Sequence, residues 1–478
     1  MSLVRTIARN TGVRAAADVL GKVASLAFYA VMARELGQHG FGEFTFALAL
    51  ALVLTTIASF GTDEILARTV ARDRTTAPRV LTDALTVNAV LGVLAIAGAV
   101  AFAFVAGYDA EVRAAVALLA VAAVVELASK SLYATFQGHD DMRPVAVSLV
   151  IQRWVTAAAG IVAMLLGAGV VTVSAIYLGG ALLAFVYAAA RLVTMRIGAS
   201  RALSAEGTRA LLGMSVALGI TLIVQTVLWR VDAVLLSLID GNAAVGVYGV
   251  AYRLMESTLF ISYSFVAALM PTLARASRDS DPPLGVAFEG GAKLMVATLL
   301  PLGAVFALFP EPILTLIYGS EFDDAITPLR WLAPATAVYG LGFLSATLLV
   351  AQGRQGLLPW FTGAILVVNV GLNLLLIPAY SYDATAAVTS LSELMLTVAC
   401  VVAVLRLTGP VSAWRIAAGP VIGCLAIGAV ALVAGTGLVA LVVAGVVYAL
   451  VLLAVERRLF PADVRLMRDT LRVASPAE

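Results

Sequence analysis

The sequence predicts an all-α integral membrane protein with about 14 transmembrane helices. Three observations predict it: an apolar composition, a succession of runs long enough to cross a bilayer, and arginines gathered in alternate connections. Of the 478 residues, 62% are hydrophobic and 13% charged, with a mean hydropathy of +1.01. Soluble domains carry roughly 45–50% apolar and about 25% charged residues. No soluble fold of this length could bury the excess. The formal net charge of +2 gives no reason to expect nucleic acid as a partner. Only the distribution of the charges is informative.

A helix crosses a bilayer core with about 20 predominantly apolar residues. Such runs fall at 13–35, 43–66, 80–107, 114–137, 144–168 and 170–192, then at 209–239, 243–272, 288–317, 329–351, 357–379, 384–406, 413–435 and 437–456. The basic start "MSLVRTIARNTGVR" leads into a run that holds Asp18 and Lys22 and has no small-residue cleavage site. A retained first helix is expected there, not a signal peptide. In 288–317, Pro301, Pro310 and Pro312 predict a kink or an early exit.

Cytoplasmic loops carry the excess of Arg and Lys. Arg5, Arg9 and Arg14 precede the first run; Arg68, Arg72, Arg74 and Arg79 fill the second connection. Arg191, Arg196, Arg201 and Arg209 fill the sixth, and Arg457, Arg458, Arg465, Arg468 and Arg472 the tail. The odd connections are acidic or bare, as in "GYDAEVR", "IDGN" and "YGSEFDDA". Both termini are therefore expected in the cytoplasm, with a multi-pass chain in the cytoplasmic membrane. Every loop is too short for a folded soluble domain. Cys400 and Cys424 lie in apolar runs without motif spacing, and His39 and His139 are far apart, so neither metal nor redox chemistry is expected.

The chain repeats internally. "GFGEFTFALAL" (40–50) follows the first run and "AVGVYGVAYRL" (244–254) the seventh; aligned at Gly42 and Gly246, they share an aromatic two residues on and then Ala47 and Ala251. Gln137, Gly138 and Pro144 likewise match Gln352, Gly353 and Pro359 at one constant offset. Two matches in corresponding connections predict duplicated six-helix halves. Six being even, the halves share an orientation and relate by an axis along the membrane normal. The expected organisation is an N-terminal lobe (1–192), a cytoplasmic linker (193–208), a C-terminal lobe (209–407), two extra helices (408–456) and a basic tail (457–478).

"ARELGQHGFGEFTFALAL" resembles the "aRyLG…yG" signature of polysaccharide-biosynthesis flippases in the multidrug/oligosaccharidyl-lipid/polysaccharide (MOP) exporter superfamily. "WRVDAVLLSLIDGNAAVGVYGVAYRLMESTLFISYSFVAALMPTLAR" and "NVGLNLLLIPAYSYDATAAVTSLSEL" are similar to further segments of that family, with Asn369, Asn373 and Pro378 in place. Ser381 and Asp383 stand where the family usually has glycines. The resemblance implies two six-helix lobes around a central cavity, alternating access, and movement of a polyprenyl-linked sugar between leaflets.

Intramembrane charges divide by helical spacing. Residues three or four apart on a helix meet and can neutralise locally. Asp18 and Lys22, Glu126 and Lys130, Arg253 and Glu256, and Glu289 and Lys293 have that spacing. A structural role is expected for them, with Asp18 and Lys22 as exceptions because their helix resembles the family's cavity-lining first helix. Arg153, Arg230, Asp232 and Glu393 have no opposite charge at those spacings. Each needs a partner on another helix or a water-filled cavity, and a salt bridge that only fixes packing would satisfy the same need.

A lipid-linked sugar carries phosphate or pyrophosphate, which the planar fork of a guanidinium matches. Arg230, Arg153 and Lys22 are the phosphate-binding candidates. Asp232, Glu393 and Asp18 are candidates for coupling to a proton or sodium gradient, or for holding an arginine when cargo is absent. Asn369 and Asn373, four apart on one face, could bond sugar hydroxyls or join two helices; Arg253 and Glu256 complete the polar candidates. No cofactor is expected and no catalytic residue is visible. The expected partners are a lipid-linked glycan, membrane lipids, and a glycan polymerase or glycosyltransferases of the same pathway. A multidrug exporter or a lipid II flippase of the same superfamily is the nearest alternative. A polymerase or ligase acting on the same lipid would need a large extracytoplasmic loop, and the sequence has none.

Overall fold

The computed structural model describes the backbone of residues 3–198, 205–279 and 283–461, and their side chains apart from 3–19, 205, 217, 267–268, 271–272 and 274–279. Regular structure among the described residues is helical throughout. The helices are α1 (Leu3–Ser59), α2 (Thr62–Arg72), α3 (Ala77–Val105), α4 (Ala110–Gly138), α5 (Arg143–Leu165), α6 (Val170–Thr194) and α7 (Ala205–Asp240). Then follow α8 (Asn242–Asp279), α9 (Leu284–Leu308), α10 (Pro310–Tyr318), α11 (Ile326–Ala351), α12 (Leu357–Thr408), α13 (Ala413–Ala434) and α14 (Leu438–Leu459). Short 3-10 turns cover Arg74–Thr76 and Ser320–Ala325.

Eleven described segments are long and apolar enough to cross a membrane. Two of them, Leu20–Ser59 and Leu357–Thr408, each hold two of the expected crossings. Together with α8, which carries the expected run 243–272, they account for all fourteen. The breaks inside the two long helices have a local cause. Gly37 takes φ 65°, a region open to glycine without a Cβ penalty. Ser381 takes φ 51°, where a side chain costs roughly 1–2 kcal/mol. Ser381 makes this turn in spite of its side chain, and its hydroxyl donates to Asp240 at the end of α7.

Two expected runs end earlier than their hydropathy implies. The second stops at Ser59, where Phe60 (φ 46°) and Gly61 (φ 72°) turn the chain into the short amphipathic α2. The ninth stops at Leu308, and Pro310 opens α10, a position where its missing N–H costs nothing. Pro301 remains inside α9.

The chain forms two compact units. Unit 1 comprises Met1–Val250 and Leu366–Tyr382. One of its cores gathers Leu66, Leu81, Phe136, Val145 and Leu192. At the junction of α7 and α8, the Tyr108 hydroxyl meets Ser237 Oγ at 2.6 Å, and Ser237 donates to Asn242 at 2.6 Å. The start of the second run passes this junction at backbone distance: a Cβ at Gly42 would overlap the Asn242 carbonyl, and one at Gly246 the Gln38 carbonyl. The two glycines that align in the repeat therefore meet each other.

Unit 2 comprises Ala251–Ile365 and Asp383–Glu478. Phe288, Met295, Leu344, Leu348 and Val404 form its main core, with Cys400 packed among them as a small hydrophobe. The extra helices α13 and α14 pack with α9 through Phe309, Ile427, Ala440 and Tyr448, and Tyr448 donates to the Ala297 carbonyl at 2.5 Å. Glu289 and Lys293 of α9 complete the attachment. Arg415 lies 3.0 Å from Glu289, and Lys293 lies 2.5 Å from Glu456. The local pairing expected from their spacing gives way to these contacts, because α13 and α14 bring opposite charges to the same face.

Candidate functional site

The polar interior of unit 1 is built where α4, α5 and α6 meet α1. α4 carries Glu126 and, one turn on, Lys130. α5 brings the adjacent Gln152 and Arg153, and α6 brings Tyr177. Gln152 Nε2 donates to the Glu126 carboxylate, and so does the Tyr177 hydroxyl. Lys130 and Arg153 place positive charge beside the same carboxylate. A cavity of about 220 Å³ opens on this group, with Ser25, Tyr29, Glu126, Gln152, Arg153 and Tyr177 in its wall. A second cavity of about 270 Å³ shares Glu126 and Gln152 with the first and is lined further by Lys130, Asp63, Glu64 and Gln137.

Local sequence explains how so much polarity is held there. Gly21 lets the Arg153 side chain lie across the α1 backbone; a Cβ at Gly21 would strike the guanidinium. Asp63 is bonded by Ser131 at 2.6 Å, and Ser131 accepts from Asn88 at 2.9 Å. Each carboxylate thus has donors from a neighbouring helix, as a group of this kind requires in an apolar setting.

The remaining sequence-predicted residues fall as follows. Arg153 lines the smaller cavity. Lys22, half-buried, follows Gly21 directly, whereas the Asp18 side chain lies outside the described residues. Arg230 is half-buried on α7. Asp232 is 3% exposed and is bonded across helices by the Tyr248 hydroxyl of α8, with its other oxygen accepting from the Ala233 amide at 2.7 Å. Asn369 and Asn373 are both buried. Asn373 donates to the Asn369 carbonyl and side-chain oxygens at 3.0 Å each, so the two join along their own helix.

In unit 2, Arg253 and Glu256 pair at 2.9 Å, as their spacing predicts. Glu393 is half-buried and within electrostatic range of Tyr339, whose hydroxyl is 3.4 Å from that of Tyr263. Among the described residues no group of three or more His, Cys, Asp or Glu could hold a metal ion.

Sequence spacing missed Gln152, Tyr177 and Tyr248, and read Glu126 as one half of a structural pair. Each missed group is an uncharged donor from another helix, outside any search for opposite charges. The repeat holds a signal for Tyr248. With the offset that superposes Gly42 on Gly246, Asp232 corresponds to Phe28 and Tyr248 to Phe44. Phe28 and Phe44 are themselves in edge-to-face contact at 6.1 Å. The aligned positions are therefore in contact at both places, as an apolar pair at Phe28 and Phe44 and as a hydrogen-bonded pair at Asp232 and Tyr248.

The family model for polysaccharide biosynthesis proteins matches residues 7–277, more than half of the chain. The MatE model matches residues 217–375. No curated protein matches. Among solved structures, the fold is similar to that of the lipid II flippase MurJ in an inward closed conformation, with a TM-score of 0.77 at 12% identity over 94% of this chain and 98% of that one. It is also similar to an inward-facing multidrug resistance MATE family transporter of the MOP superfamily (TM-score 0.61, 16% identity, 82% and 96% of the two chains). A MOP superfamily transporter from Pyrococcus furiosus gives a TM-score of 0.61 at 16% identity, over 84% and 94% of the two chains. At these identities the likeness is one of fold.

Proposed function

Since the chain belongs to the polysaccharide biosynthesis protein family, we propose that it is a flippase for a lipid-linked oligosaccharide or polysaccharide repeat unit, carried on a polyprenyl phosphate or pyrophosphate. Family and fold make it a multi-pass membrane transporter of the MOP superfamily and not an enzyme. In the proposal, cargo crosses the cytoplasmic membrane by alternating access, with the repeat halves 1–192 and 209–407 as the moving bodies and both termini in the cytoplasm.

The observation that carries the reading is Arg153 in the wall of a cavity inside unit 1. A guanidinium stays charged at any relevant pH and presents paired donors to phosphate oxygens, so it can offset the dehydration of a phosphate. Arg230 and Lys22 take the same role along the path. Arg253 and Glu256 offer donors and acceptors to sugar hydroxyls, whereas the buried Asn369 and Asn373 bond along their own helix. Asp232, Glu393 and Asp18 are assigned to coupling with a proton or sodium gradient. Glycosyltransferases and a glycan polymerase would supply and consume the cargo.

Purified protein in proteoliposomes, loaded with a labelled polyprenyl-pyrophosphate-linked oligosaccharide, tests the proposal by its appearance in the opposite leaflet. Arg153→Ala and Arg230→Ala should each lower the rate at least tenfold with the fold retained. Unchanged translocation in both variants would overturn the phosphate assignment. Lipid II and a cationic drug in the same assay separate the glycan reading from its two nearest alternatives.

A further inference from the structure

Glu126 is not used by the phosphate reading, yet it is the charged residue that lines both of these cavities of unit 1. A carboxylate at this depth needs compensation, and it receives two neutral donors, Gln152 and Tyr177, and two cations, Lys130 and Arg153. Gln152 and Arg153 are consecutive on α5, and both share the wall of the smaller cavity with the Glu126 carboxylate. The groups facing Glu126 are Lys130 on its own helix, Arg153 from α5, Tyr177 from α6 and Tyr29 from α1. Asp63 and Glu64 of α2 lie across the larger cavity.

We propose that Glu126 is the resident anion of the Arg153 site, occupying in the empty transporter the cation that an incoming phosphate must take. The inference rests on the assignment of Arg153 to phosphate. Two anions beside one guanidinium repel, and at a partly dehydrated site the repulsion is weakly screened. Glu126 therefore limits the affinity for cargo and speeds its release, while keeping the arginine compensated between cycles. Lys130, one turn along the same helix, receives the carboxylate when phosphate displaces it. A transporter gains from such a device, because a cation that bound phosphate too tightly would hold its cargo.

Glu126→Gln tests this, since the amide keeps the size of the side chain and removes its charge. Binding is measured on the full chain in nanodiscs with two ligands, decaprenyl pyrophosphate and inorganic pyrophosphate. The expected result is a roughly 10- to 100-fold tighter binding of decaprenyl pyrophosphate and slower translocation at saturating cargo. Tightening with inorganic pyrophosphate as well assigns the effect to phosphate alone; tightening with the lipid only assigns it to phosphate presented on a lipid. Glu126→Asp, which keeps the charge but withdraws it by one methylene, should bind between wild type and Gln, and it serves if the Gln variant does not fold. Unchanged or weaker binding in a folded variant would make Glu126 a packing residue and overturn the proposal. Arg153→Ala separates the two readings. If it binds like wild type, the phosphate assignment fails; if it loses binding while Glu126→Gln leaves it unchanged, only the resident-anion proposal fails.

Discussion

Lys293→Met measures how the two extra C-terminal helices are held. Lys293 Nζ lies 2.5 Å from Glu456 Oε2, with the two side chains 15% and 14% exposed, and 4.1 Å from the Phe460 ring centroid. Glu456 Oε1 has no hydrogen-bond partner among the described residues, so the ammonium is the main compensation for this carboxylate. Deleting one partner of a buried pair costs about 3–5 kcal/mol, whereas removing both is often near neutral. For a unit of roughly 200 residues, each kcal/mol lowers the melting midpoint by about 2–4 °C, so unit 2 should melt roughly 6–20 °C earlier. Thermal unfolding of the detergent-solubilised protein reads this, followed by Trp fluorescence. Adding Glu456→Gln to Lys293→Met should recover most of the loss, and so should exchanging the two charges. The reasoning is refuted if Lys293→Met melts within about 1 °C of wild type, or if the two single effects simply add, since contacting residues must couple.

Two further outcomes follow from unit 1. Gly42→Ala sets a methyl onto the Asn242 carbonyl, and backbone cannot swing aside as a side chain can; a loss of about 1–3 kcal/mol is expected. Gly213→Ala, inside α7 with nothing within 4 Å of the added carbon, is the control in the same melting experiment and should gain about 0.5–1 kcal/mol from helix propensity. Tyr248→Phe removes the cross-helix donor to Asp232 and should cost about 1–3 kcal/mol. Pairing it with Asp232→Asn should give less than the sum of the two single losses, and additivity would show that the bond does not couple α7 to α8.

Local properties were legible from the sequence and long-range ones were not. A run of about 20 apolar residues is a crossing wherever it stands, so the spans could be read directly. Charge pairing depends on what the fold brings near. Spacing found Arg253 with Glu256, which pair along one helix. It missed the fate of Glu289 and Lys293, whose partners Arg415 and Glu456 come from helices far along the chain. It also missed Tyr248 and Tyr177, because a search for opposite charges passes over neutral donors. Duplication supplies the filter that spacing lacks. Under the proposed duplication, equivalent positions in the two halves start from one contact, so a difference between them marks where the burial cost of a polar group has been accepted in one half only. Phe28 against Phe44 and Asp232 against Tyr248 form such a position. A buried carboxylate is costly in a bilayer and tends to be functional, and an aromatic pair at the same place is the cheaper solution the chain already possesses. Under the proposed duplication, the first helix of the second half is the one that carries the buried carboxylate. Arg230, two residues before Asp232, gains more weight from that asymmetry than from its charge alone.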